Sequence, residues 1–340
     1  MIAYLARRVV TMGITLAVVS ALVFFIINLP PGDFLSNQIA ELQAQGEAAS
    51  VAKAEFLRAQ YSLDEPQWKQ YLIWLGAIPG PDGYSGLLQG DWGWSFEFDQ
   101  PVSEVLGDTL WLTVMVNLAA MLFIYAVSLP LGTIAAVRAG GVTDYGVAFI
   151  GYLGLATPNF LLALILLYYG ERYLDLPIGG LMDERFEGEP FSFDKLKSIL
   201  AHLIVPTIVI GTAGTAAMIR RLRANLLDEL GKPYVTTAKA KGVPPVKRVM
   251  KYPLRAALNP FVADIGNLLP SLVSGSVLVS VVLSLPTLGP ALLAALRSQD
   301  HYLAGFILLF VSALTLAGML ISDILLAILD PRIRFGGRSR

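Results

Sequence analysis

Apolar and polar positions follow one another along this chain in long blocks, not in the short periods of a water-soluble fold. The first apolar block, residues 9–29, reads V-V-T-M-G-I-T-L-A-V-V-S-A-L-V-F-F-I-I-N-L and carries no charge. About 20 such residues in a helix cross the roughly 30 Å hydrocarbon core of a bilayer. Arg7 and Arg8 precede the block, as a basic segment precedes the apolar part of a signal peptide. The run is longer than such a region and no small-x-small cleavage site precedes Pro30, so an uncleaved signal anchor is expected. Residues 30–108 are polar and acidic, with helical patterning near 47–60 and 67–75. Apolar blocks then return at 109–137, 145–170, 198–218, 260–285 and 302–328. The third block is interrupted by Thr157-Pro158-Asn159, where proline removes a backbone donor, and a kink at mid-depth is expected.

The pattern predicts an all-α membrane protein with six transmembrane helices. Its expected parts are a signal-anchor span (1–29), an extracytoplasmic insertion (30–108), a five-helix core (109–328) that includes a cytoplasmic loop (219–259), and a tail (329–340). Composition agrees: 55% of the 340 residues are hydrophobic and 15% charged. Cysteine is absent, which excludes disulfide scaffolds and thiolate metal sites, and the two histidines, His202 and His301, are too few and too separated to argue for a metal. The net charge of −1 becomes informative once split by loop. Assigning loops alternately places 17 Lys and Arg with 4 Asp and Glu on one side, 8 with 20 on the other, and 2 acids in spans. By the positive-inside rule both termini lie in the cytoplasm.

The most unusual polar stretch is Tyr234–Pro260, Y-V-T-T-A-K-A-K-G-V-P-P-V-K-R-V-M-K-Y-P-L-R-A-A-L-N-P, strongly basic and set between two apolar blocks. Val235–Lys241 can form one short helix, Gly242 permits the positive φ that ends it, and Pro244 suits the first turn of a second. In that second helix Val246, Val249 and Met250 make an apolar stripe, with Lys247, Arg248 and Lys251 facing away. Such a stripe fits a groove on a partner. A basic cytoplasmic loop that only satisfies the charge rule, or touches anionic lipid, is the plainer alternative.

Thr236, Thr237, Ala238 and Gly242 occupy the positions of the E-A-A-x-x-x-G loop of binding-protein-dependent ABC importer permeases. The form T-T-A-K-A-K-G resembles the dipeptide and oligopeptide branch, where the leading Glu is commonly replaced. Asp91–Phe96, D-W-G-W-S-F, followed by Pro101-Val102, resembles that branch's D-L-G-x-S-F…P-V, and L-D-P-R-I-R at Leu329–Arg334 resembles its C-terminal signature. The resemblance covers nearly the whole chain. It implies a type I ABC importer permease fold, a "B"-type subunit by the insertion after the first span, and an inner-membrane location. It also implies a second, "C"-type permease, two ATPase subunits that bind ATP and Mg, and an extracytoplasmic binding protein that delivers cargo for alternating access. On this reading Tyr234, Thr236, Thr237, Ala238, Lys239, Lys241, Gly242, Val246 and Met250 couple to the ATPase. Peptide is the implied cargo; oligosaccharides, opines and nickel chelates travel on the same scaffold.

The chain has no engine of its own to set against this. No G-x-x-x-x-G-K-[ST] loop occurs, since Gly231-Lys232-Pro233 lacks the upstream glycine and the hydroxyl, so no cofactor is expected in this chain. An intramembrane protease would need G-x-S-x-G with a histidine, H-E-x-x-H or paired intramembrane aspartates, which are absent. A stand-alone ion-coupled carrier would need charged relays in its spans, and only Asp264 and Asp323 come near. For the translocation path the candidates are Asn117, Pro158, Asn159, Asp264, Asn267 and Ser271. All but Pro158 have a plainer alternative: an interfacial salt bridge for Asp264, interhelical hydrogen bonds for the asparagines, close helix packing for Ser271.

Overall fold

A computed structural model describes residues 2–30, 34–35, 39, 52, 56, 58–81, 83–174, 177–186 and 189–329. Most of the helix expected at 47–60, and the tail motif beyond residue 329, lie outside these residues. The helices named here are, in chain order, α1 (Ile2–Ile27), α2 (Gln67–Leu75), α3 (Val102–Val137), α4 (Val142–Ala156), α5 (Asn159–Leu174), α6 (Phe193–His202) and α7 (Ile204–Leu230). There follow α8 (Pro233–Ala240), α9 (Pro245–Lys251), α10 (Pro253–Ala257), α11 (Asn259–Ala263), α12 (Ile265–Val282), α13 (Leu288–Ser298) and α14 (His301–Leu329). Strand is confined, among the described residues, to β1 (Trp94–Ser95) and β2 (Gln100–Pro101), paired antiparallel. Backbone contacts divide the chain into two units, Ile2–Trp111 with Thr287–Leu314, and Leu112–Pro286 with the residues from Thr315 on.

In the first unit α1 exposes most of its described side chains and turns Ser20 and Phe24 inward. Both meet α2: the Ser20 and Tyr71 hydroxyls lie 2.8 Å apart and the Phe24 and Trp74 rings 5.5 Å apart. The helix α2 begins behind Pro66, whose ring presets φ, and ends where Gly76 turns left-handed at φ +81°. The aromatic residues of this region form a small core: Trp92 stacks on Phe306 at 4.3 Å, and Phe96 packs against Phe34, Tyr61 and Tyr302. Trp68 and Phe98 stay exposed.

Asp300, fully buried, ties the hairpin to the start of α14. Its carboxyl accepts from Ser95 Oγ at 2.6 Å, from the Glu97 N–H at 3.2 Å and, as the cap of α14, from the Leu303 N–H at 3.2 Å. Burial pushes this carboxyl above the usual carboxylate range, and the donors pull it part of the way back. A folded value above the unfolded one means that the folded state holds the proton more tightly. The stability contributed by that shift is therefore complete below the unfolded value and fades as pH rises through the folded one. Asp300→Ala, which strands these donors, is expected to cost about 2 kcal/mol or more. In denaturation of the micelle-held protein its deficit against wild type should be largest in acid and shrink toward alkaline pH.

The second unit is built on α7. One face of α3 sets Leu112, Val116, Ala120 and Ile124 at intervals of four into a core shared with Val205, Val209, Met218 and Leu222 of α7. Small residues let the helices approach: a Cβ at Gly211 would lie 2.6 Å from the Phe123 ring, and one at Gly154 of α4 would lie 3.0 Å from Thr212. In hydrocarbon, where burying apolar surface gains little, such close contact and its dispersion energy hold helices together. Backbone meets backbone between α12 and α14, where a Cβ on Gly266 would lie 2.7 Å from the Met319 backbone.

Three expected spans are broken rather than continuous. Thr157, held extended (φ −87°, ψ 117°) by the proline that follows, ends α4, and α5 departs at 96°. This corrects the expected kink within one helix: the chain turns a corner. The span expected from Ser198 is α6 and α7 with a 40° bend. The block at 260–285 divides into α11 and α12 around Asp264, and hydroxyls from neighbouring helices cover carbonyls there, Tyr125 to Phe261 O at 3.0 Å and Ser322 to Val262 O at 2.5 Å. Among the described residues three helices, Ala6–Ile27, Val102–Val137 and His301–Leu326, are long and apolar enough to cross a membrane. The two bent pairs raise this to five, and α12, apolar over Ser271–Val282, is the shorter helix in the place of the remaining expected span.

Candidate functional site

The basic segment folds as a pair of short helices standing on the end of α7. Glu229, in the last turn of α7, takes Lys232 Nζ at 2.5 Å and the Tyr234 hydroxyl, which fixes the exit of the chain. Desolvation of that hydroxyl and the Glu229 carboxylate push the Tyr234 phenol up to about 12, so it stays a donor at any physiological pH. Pro233 occupies the first turn of α8, where its missing N–H costs nothing. Val235 and Ala238, three apart, are buried; Tyr234, Thr236, Thr237, Lys239 and Lys241 are exposed. Thr237 Oγ1 bonds back to Pro233 O at 3.1 Å.

Gly242 makes the turn. At φ +72° it sends its N–H to Lys239 O at 3.0 Å, while Val243 N–H reaches Ala238 O at 3.1 Å, the paired bonds of a Schellman cap. The second helix then begins one residue later than the sequence suggests, with Pro244 as its cap and Pro245 at the first helical position. A Cβ at Gly242 would meet nothing within 4 Å, so the constraint there is conformation and not space. A β-branched residue held left-handed costs about 1–2 kcal/mol. Gly242→Val is therefore expected to open the turn and speed tryptic cleavage after Lys239 and Lys241, whereas Gly242→Asn, which tolerates this conformation, stays near wild type.

Val246 is 77% exposed and Met250 58% exposed, both far above what an apolar side chain finds in a packed core. With Val249 they line a hollow of about 740 Å³ whose other wall is Ile134 and Val137 of α3. Arg248 lines the same hollow, which corrects the expectation that it faces away from the stripe. Lys247 and Lys251 are exposed, and Lys251 Nζ lies 5.5 Å from the Tyr252 ring centre. The chain returns through α10, whose buried Pro253 and Ala257 seat it beside α7.

The path candidates are not gathered in one lining. Asn117 is buried beside core residues of α3, its Nδ2 bonded to Thr113 O at 2.7 Å and its Oδ1 without a partner among the described residues. Pro158 is exposed at the corner and Asn159 opens α5. Asp264 pairs with Arg221, the salt-bridge alternative for this residue. Ser271 is exposed on α12 and its hydroxyl bonds to Leu268 O at 2.7 Å. The side chain of Asn267 lies outside the described residues. Among the described residues no group of three potential metal ligands converges. His202 is buried with Nδ1 at 2.9 Å from Ser198 O.

One pair escaped the sequence reading. Arg223 forks onto Asp144, Nε to Oδ1 at 2.5 Å and Nη2 to Oδ2 at 2.7 Å, and the Gly140 N–H adds a third bond at 2.8 Å. It joins the start of α4 to α7 two turns before the exposed helices. An acid in the first turn of an apolar helix was the available signal; its partner, 79 residues away, was not readable.

A family model described as binding-protein-dependent transport system inner membrane component matches residues 128–335. A second, described as the N-terminal membrane component of such systems, matches residues 1–117. Among similar proteins, the oligopeptide transport system permease protein AppB of Bacillus subtilis (strain 168) is 33% identical over 337 residues, covering 98% of this chain and 100% of its own length. The dipeptide transport system permease protein DppB of Escherichia coli (strain K12) is 29% identical over 356 residues, covering 98% and 99%. A putative peptide permease of Brucella ovis is 30% identical over 336 residues, covering 97% and 98%.

Proposed function

This chain belongs to the family of binding-protein-dependent transport system inner membrane components, and on that premise we propose that it is a B-type permease subunit of an ATP-driven peptide importer. It is a membrane permease and not an enzyme; the hydrolysis belongs to separate ATPase subunits, which would bind ATP and Mg. The observation that carries the reading is the helix pair α8–α9, which offers Val246 and Met250 to a partner on the basic, cytoplasmic side. The charge split between the loops supports a cytoplasmic side for both termini. The complex would hold a second, C-type permease, two ATPases and an extracytoplasmic binding protein.

The geometry supports a simple transmission. An ATPase that grips Val246, Val249 and Met250 moves α9, the Schellman turn at Gly242 passes the movement to α8, and the buried Val235 and Ala238 pass it to the packed helices. A short rigid element docked in a cleft carries a domain motion in this way. Closure of the ATPases would turn the path outward to receive cargo, and hydrolysis would reset it. The test is reconstitution with its partner chains in proteoliposomes, reading uptake of labelled oligopeptides. ATP-dependent uptake that disappears when the ATPases are left out is expected; uptake that persists without them would overturn the reading.

A further inference from the structure

A second cavity lies between α4 and α7, about 270 Å³ in volume. Its walls are apolar and small, Ala148 and Gly151 on α4 and Ala216 on α7, and Tyr145, Tyr152 and Arg220 line it as well. Both tyrosines are largely exposed, at 70% and 60%. Residues 204–219 of α7 contain no charged side chain, so Arg220 is the first charge after the apolar stretch and stands at headgroup depth. Its neighbours Arg221 and Arg223 are taken by Asp264 and Asp144. Among the described residues Arg220 has no carboxylate partner, and with Asp144 neutralised by Arg223 the cavity is left with one net positive charge.

We propose that this cavity is a binding site for an anionic phospholipid of the cytoplasmic leaflet, with the phosphodiester on Arg220 and part of one acyl chain along Gly151 and Ala216. A guanidinium at the edge of an apolar slot matches a phosphate on an acyl chain in charge and in polarity, and interfacial tyrosines flank such headgroups. A cargo peptide fits poorly. The volume lies below the roughly 300–1,000 Å³ of small-molecule sites, and a peptide backbone would find few donors or acceptors on these walls. The proposal does not depend on the cargo, only on the cytoplasmic placement of the basic segment.

Native mass spectrometry of the purified transporter complex tests it, with phosphatidylglycerol, phosphatidylethanolamine and inorganic phosphate as probes. Wild type is expected to retain phosphatidylglycerol in preference to phosphatidylethanolamine, and inorganic phosphate should not displace it. Arg220→Gln should lower phosphatidylglycerol affinity about fivefold, the effect of one basic residue near a membrane surface. Ala148→Phe, which fills the slot and keeps the charge, should lower retention of both lipids. Unchanged phosphatidylglycerol binding in both variants would overturn the proposal. So would displacement by inorganic phosphate, which would mark a bare anion site, or displacement by cargo peptide, which would assign the cavity to the path.

Discussion

Val246→Asp is expected to release the ATPase from the permease and reduce ATP-driven uptake to background while the spans remain inserted. At 77% exposure Val246 contributes little to the folded chain, so a charge there leaves the fold intact. In the docked complex the same side chain would enter an apolar cleft. Losing that burial removes about 1.5 kcal/mol or more, and bringing an unpaired carboxylate into the cleft costs more again. A combined loss of about 3 kcal/mol is a factor of ~150 in affinity. Val246→Ala, which keeps the site apolar, should weaken docking by less than about tenfold. Co-purification of tagged permease with its ATPases reads both outcomes, and normal ATPase recovery with the Asp variant would remove Val246 from the contact.

Arg223→Ala should be the most damaging single change to the fold. It leaves the Asp144 side chain, only 4% exposed, with the Gly140 N–H and no counter-charge. Breaking a buried pair in this way costs about 3–5 kcal/mol, and because Arg223 is itself about a third exposed the low end, about 3 kcal/mol, is expected. The double variant Asp144→Asn with Arg223→Met removes the orphaned charge and should recover more than half of the loss. Unfolding in mixed micelles supplies the three free energies of the comparison. A double variant no more stable than Arg223→Ala would mean that the pair does not act as a unit.

Local chemistry was readable where one or two residues decide it. Pro66 and Gly76 bracket α2 at the residues that the pattern indicates, and Gly242 turns where a left-handed residue was needed. The long apolar blocks announced their helices for a similar reason, because length alone answers the thickness of a bilayer. What the sequence left open was each case in which distant residues decide. Pro158 signals an open hydrogen-bond ladder, but the 96° corner is set by how α4 and α5 each pack on α7. Asp300 and Ser95 are 205 residues apart, and neither reads as a partner of the other. The path candidates suffered most, because a polar residue in an apolar block looks the same whether it faces a helix, as Asn117 does, or an ion pair, as Asp264 does.

The contact of Gly266 with the Met319 backbone has a consequence for how such a chain changes shape. Little room is left between the two rods there, which favours α12 and the C-terminal part of α14 travelling together. Swing is then left to the seams at residues 157–158 and 203, where one helix ends and the next sets off at an angle. Stiffening those seams, rather than touching any residue that meets cargo, would be the way to trap the machine halfway through its stroke.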